Sequence, residues 1–203
     1  MKASTTSLRI WGTHASEKDL AQVAEHIAHL REPDQLSRGL SVFEEREFPL
    51  DYSTLIPLCW HEDEQVVWHA AKTLSHFSDP RIRAASLHLR ENAETLRESL
   101  WLLEKNMTDD DWFWLEAMTS DLSDDETETL NTGVRGVIEA NLDPRAQRIL
   151  IQLYESGSCA MCRSGITNLL SDLGCLPDWM LEELQKDSYS YLREEAGNWT
   201  AAA

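Results

Sequence analysis

Apolar side chains recur along this chain in pairs four positions apart: Leu36/Leu40, Val66/Ala70, Leu96/Leu100, Leu130/Val134, Cys162/Ile166 and Leu192/Ala196. The first members follow one another at intervals of 30, 30, 34, 32 and 30 residues. An i, i+4 pair marks one face of an α-helix, and the pairs continue at i+7 or i+8 with Phe43, Leu74, Leu103, Ile138, Leu169 and Trp199. Two of the frames, TLRESLWLL from Thr95 and YLREEAGNW from Tyr191, share the run Leu-Arg-Glu and an apolar or small residue four positions after the Leu. The pattern predicts six helices that share one buried stripe, with Leu96 and Cys162 among its core anchors.

A second, shorter helical pattern precedes each of these: Leu20 to Leu30, Tyr52 to Trp60, Ile82 to Leu89, Trp112 to Met118, Ala146 to Tyr154, and Trp179 to Leu184. Three open on Asp79-Pro80, Asp143-Pro144 or Pro177-Asp178, where Asp caps free backbone N–H groups and Pro is tolerated in the first turn. No run of β-branched residues alternates over more than a few positions, so strands are not expected and the class is all-α. A helical pair of about 30 residues cannot bury its apolar face alone, and stacking such pairs covers it. The expected fold is a right-handed α-solenoid of about six stacked helical pairs.

The segment EDEQVVWHAAKTLSHFSDPRIRAASLHL, Glu62 to Leu89, places an acid before V-x-x-x-A-A-x-x-L and then D-P-R, and LDPRAQRILIQL and YLREEAGNW repeat its two halves. These motifs resemble the short HEAT-like repeats of the bilin-lyase type. The resemblance covers roughly residues 16–199, with 1–15 as an N-terminal extension and 200–203 as a tail whose three alanines read as a cloning scar. The unit holding Leu130 departs most, with acids and Thr where the pattern has Ala. The resemblance implies fold more than function, because such arrays serve many tasks.

The chain carries 36 acidic against 18 basic side chains, a formal charge of −18. A field of that sign repels phosphate backbones and anionic lipid, so neither nucleic acid nor membrane is expected as a partner. No 18-residue apolar run and no signal-peptide core is visible, and four cysteines are too sparse for a disulfide framework in 203 residues. A soluble, cytoplasmic protein is the expectation.

Cys159-Ala-Met-Cys162 has the spacing of a redox pair or half a zinc site. It lacks a βαβ context and a second pair, and Cys162 falls in the same slot as Val66, so a core role is expected, with no metal and no cofactor. All seven histidines lie at or before His88. His61-Glu62 is a single His-Glu dipeptide, whereas the HEAT-like deoxyhypusine hydroxylases hold two irons with several. Arg97, Arg163 and Arg193 each follow an anchor and are expected to pair with an acid of a neighbouring unit.

Two surfaces remain as candidate binding sites. Of eight tryptophans, Trp68 and Trp101 fall on second helices, where a concave groove would lie. HEAT-like alkylpurine DNA glycosylases line that groove with Trp and a carboxylate. From Asn106 to Val134 there is no Lys or Arg, while Asp109, Asp110, Asp111, Glu116, Asp121, Asp124, Asp125, Glu126 and Glu128 gather around Trp112-Phe113-Trp114. Capping accounts for three or four of these acids, and no calcium-loop spacing accounts for the rest. Trp68, Trp101, Asp109, Asp110, Asp111, Trp114, Asp124, Asp125 and Glu128 are therefore the expected binding residues. The expected function is a protein-binding module, an adaptor or immunity-type inhibitor of a basic partner; the alternative is a HEAT-like enzyme or subunit, a glycosylase relative or a bilin lyase.

Overall fold

In a computed structural model, described over residues 4–202, the chain folds into α-helices and short 3-10 segments, with no strand among the described residues. The α-helices are α1 (Thr5–His14), α2 (Glu17–Ile27), α3 (Pro33–Leu40), α4 (Glu64–Leu74), α5 (Pro80–Leu89), α6 (Leu96–Leu103), α7 (Asp110–Thr119), α8 (Asp124–Ala140), α9 (Ala146–Ser156), α10 (Ala160–Asp172), α11 (Asp178–Leu184) and α12 (Ser190–Ala202). The 3-10 segments are Ser41–Phe43, Tyr52–Thr54, Ile56–Trp60 and Ala93–Thr95. Each of the six anchor pairs lies on a helix of its own, α3, α4, α6, α8, α10 and α12. Five of the six preceding patterns are α-helical. The exception is Tyr52 to Trp60, where Pro57 lacks the N–H that an i→i−4 bond needs and the chain settles for tighter 3-10 turns.

The chain divides at Met107–Thr108 into two compact units. In the first unit α2 packs on α3, Ile56–Trp60 on α4, and α5 on α6, while α3, α4 and α6 also pack one against the next. In the second, α9 packs on α10 and α11 on α12; α7 lies against α9, and α8, α10 and α12 contact in turn. Packing is thus mainly between elements close in sequence. No helix among the described residues is long and apolar enough to cross a membrane.

The D-P-R motif is one local structure used twice. Asp79 accepts the Arg81 backbone N–H at 2.7 Å and forks onto its guanidinium at 3.1 and 2.7 Å. Asp143 does the same with Arg145, at 2.8, 2.9 and 2.9 Å. Those bonds hold both carboxyls down to about 2. A buried amide then ties one helical pair to the next: Asn106 Oδ1 accepts the Asp79 N–H at 2.8 Å, and its Nδ2 donates to the Phe77 and Leu102 carbonyls. Residues 1–15, expected as an extension, contain α1, which packs on Ser41–Phe43 and α3. Gly12 permits that approach, because a Cβ there would collide with the Val42 carbonyl oxygen.

The second member of every anchor pair is fully buried: Leu40, Ala70, Leu100, Val134, Ile166 and Ala196 are each 0% exposed. Of the first members, Leu36, Val66, Leu130 and Leu192 are buried, but Leu96 and Cys162 are only half-buried, as is Trp199. Leu96 is the first residue of α6 and Cys162 stands in the first turn of α10, so neither is covered on all sides. The expectation that both are core anchors is corrected accordingly. Truncating the fully buried Leu100 to Ala is expected to cost about 2–5 kcal/mol in urea unfolding, and Leu96→Ala clearly less. Equal losses would mean that the two sites are covered alike.

Candidate functional site

In the first unit, α4 presents Trp68 and Lys72 toward α6, which presents Arg97 and Trp101. The two indoles meet edge to face, 4.5 Å between centroids at 84°. The Arg97 guanidinium lies 3.8 Å from the Trp68 centroid, and Lys72 Nζ lies 4.0 Å from that of Trp101. Each cation faces the negative π-cloud of a ring. Burial draws the Lys72 pKa down, against the pull of Glu104, Glu45 and Glu44. Trp68 and Trp101 were both expected to line a groove, but Trp101 is 4% exposed and belongs to the core, so only Trp68 remains within a ligand's reach.

This cluster holds polar atoms without partners. Trp101 Nε1, Arg97 Nε and Glu98 Oε2 are buried and make no hydrogen bond. Glu98 Oε1 is 3.8 Å from Arg97 Nη2, too long for a hydrogen bond. Burial pushes the Glu98 carboxyl above its usual range, its own backbone N–H and Arg97 pull it back, and Glu64 adds to the push. Beside Trp68 a cavity of about 260 Å³ is lined by Thr5, Thr6, Arg9, Glu44, Gln65 and His69. Glu44 Oε1 and His69 Nδ1 lie 2.6 Å apart, and His69 Nε2 is buried with no hydrogen-bond partner. Glu44 and His69 escaped the sequence reading because they stand 25 residues apart and match no motif.

In the second unit the acidic segment separates into three groups. Asp111 is buried at 1% exposure, and its Oδ2 accepts from the Thr108 N–H and hydroxyl at 2.8 and 3.1 Å, bracing the start of α7. It therefore drops out of any accessible patch. Asp109 pairs with Arg145 at 2.9 Å and Glu116 with Arg148 at 2.7 Å, while Glu126 closes a capping box with Ser123 at the start of α8. Asp110, Asp121, Asp124, Asp125 and Glu128 remain exposed. On α7, Asp110 shares its outer face with Phe113, whose side chain is 80% exposed. Trp114 is half-buried and Trp112 is buried, with the Arg145 guanidinium 5.3 Å from its centroid.

No protein-family model matches this chain, and no curated protein matches it.

Of the three arginines expected to form a ladder, Arg163 reaches acids of the following helical pair, Asp187 at 2.7 Å and Glu183 at 3.7 Å. Arg97 instead stacks on Trp68, and Arg193 donates to the Asp187 and Ser188 carbonyls. Among the described residues no three His, Cys, Asp or Glu side chains converge as ligands for one metal ion.

Glu98 yields a pH prediction. A carboxyl raised in the folded state binds its proton more tightly there than in the unfolded chain, so its ionisation costs stability as pH rises from about 4.5 through the folded pKa. Glu98→Gln is expected to raise the melting temperature at neutral pH, with the gain shrinking as pH falls below that window. A gain that persists unchanged in acid would mean that ionised Glu98 carries no such penalty.

Proposed function

We propose that this chain is a HEAT-like α-solenoid that acts as a protein-binding module, an adaptor or immunity-type inhibitor, and that its α7–α8 face receives a basic partner. The observation that carries this reading is Phe113, exposed on the same face as Asp110 and close in sequence to Asp121, Asp124, Asp125 and Glu128, none of them spent on an ion pair. Carboxylates around an exposed aromatic combine long-range steering with a desolvated anchor. The second unit concentrates the field: from Thr108 onward there are 19 acidic and 6 basic side chains, a net of −13. The solenoid itself is supported by the contacts that run from each second helix to the next within each unit, at the spacing of the sequence repeat.

The enzyme reading, a relative of the alkylpurine DNA glycosylases or of bilin lyases, would rest on Trp68, Trp101 and Glu98. Burial of Trp101 takes one of the two ring faces away from a flipped base or a chromophore, and the binding module is the better supported reading.

A displayed library of Lys/Arg-rich peptides, panned on the immobilised chain, tests the proposal. Peptides with an apolar residue among the cations are expected to bind with association rates that fall between 0.1 and 1 M salt, as the Debye length shrinks from about 10 to about 3 Å. The quadruple variant Asp110→Asn, Asp124→Asn, Asp125→Asn, Glu128→Gln should slow association at low salt, and Phe113→Ala should speed dissociation. No enrichment, or equal rates in the quadruple variant, would refute the docking face.

A further inference from the structure

The Cys159-Cys162 motif was expected to be packing, yet neither sulfur is in the core. Cys159 is the N-cap of α10, in extended conformation, and Cys162 is its third helical residue; both are half-buried. Residues three apart at a helix start have Cβ atoms about 5–6 Å apart, close enough for small rotations to bridge two cysteines. Met161, between them, is 74% exposed and leaves apolar surface at the motif.

A polar stripe of α8 faces this turn. A Cβ on Gly165 would collide with the Arg135 guanidinium, and one on Gly157 would meet Thr127 Cγ2 at 3.3 Å. The two contacts set α8 against the segment from Gly157 to Gly165, which contains the motif. Asn131 lies midway between Thr127 and Arg135 on the same face of α8. Its side chain is 1% exposed, yet neither Nδ2 nor Oδ1 has a hydrogen-bond partner. Thr127 Oγ1 and Arg135 Nε are orphaned as well. Buried polar groups are seldom left without partners, and this stripe of α8 holds three.

We propose that Cys159 and Cys162 form a thiol–disulfide exchange site, with Cys159 as the attacking sulfur and Cys162 as the resolving sulfur. The Cys159 thiolate attacks one sulfur of a disulfide R–S–S–R′; the S–S bond breaks and R′S⁻ leaves with the electron pair. Cys162 gives up its proton and attacks the Cys159 sulfur of the mixed disulfide, expelling RS⁻. The dithiol is oxidised by two electrons, and the substrate becomes two thiols that take the two protons.

The surroundings divide the roles. The Cys162 N–H and thiol, with the Met161 N–H, draw the Cys159 pKa below its ordinary value against desolvation and Glu128, although none forms a capping hydrogen bond of ordinary geometry. Burial and the Cys159 sulfur push Cys162 up, with Arg135 opposing. Cys175 is raised by burial, and Cys59, buried at 1% exposure, is pushed up to about 12. A lowered thiol that solvent can reach is the reactive one.

The test uses the full chain, reduced and freed of reductant, exposed to oxidised glutathione or to insulin and read by peptide mass spectrometry. Either probe should convert the 159–162 peptide to its intramolecular disulfide, and which probe succeeds tells whether small-molecule or protein disulfides are the substrate. Cys162→Ser should trap the mixed disulfide on Cys159, and Cys159→Ser should leave Cys162 unmodified. Cys159, whose thiol is drawn down, should alkylate faster than Cys175, whose thiol burial pushes up. Exchange with neither probe, in variants whose helix content by circular dichroism is intact, would overturn the proposal.

Discussion

A two-helix unit of about 30 residues has an apolar face that it cannot cover by itself, and everything else in this molecule follows from how that face is covered. Leu40, Ala70 and Leu100 lie on α3, α4 and α6, successive second helices that pack one against the next, and Val134, Ile166 and Ala196 repeat the arrangement on α8, α10 and α12. Two of these six positions, Ala70 and Ala196, carry the small side chain of alanine. The turns are held polar and rigid by the two D-P-R forks and by Asn106, whose side chain satisfies backbone groups on both sides of the turn between α4 and α5. Burial fixes the spacing, and the turns fix the direction.

The places where polar groups go unsatisfied gather along the same second helices. Trp101 Nε1, Arg97 Nε and Glu98 Oε2 belong to α6, and Thr127, Asn131 and Arg135 to α8. An unpaired buried polar atom costs about 1–3 kcal/mol, so a fold that keeps several in two clusters gives up stability at those spots. Violations of local consistency are where function is to be sought. In this chain they mark the Trp68 cluster, which lies beside a cavity, and the face of α8 that packs near α10.

The acidic segment shows how a single compositional feature divides once neighbours are in place. Asp111 and Glu126 brace helix starts, Asp109 and Glu116 neutralise arginines of α9, and the remainder face water. Only the last group projects a field that a partner would feel. That division gives the proposed docking face its position on α7 and α8 and makes Phe113, not Trp114, its apolar anchor.

Periodicity along the chain determined the helical class, the six helices that carry the anchor pairs and the D-P-R starts, because a helix face and a helix cap are encoded by residues within about four positions of one another. Which member of each pair is covered, Leu96 or Leu100, depends on where the helix begins and what packs over it. Tertiary structure also decided that Trp101 is core, that Asp111 is buried, and that His69 meets Glu44 across 25 residues and Asp109 meets Arg145 across 36. No local pattern carries such pairings. They arise when packing brings one helical pair against the next.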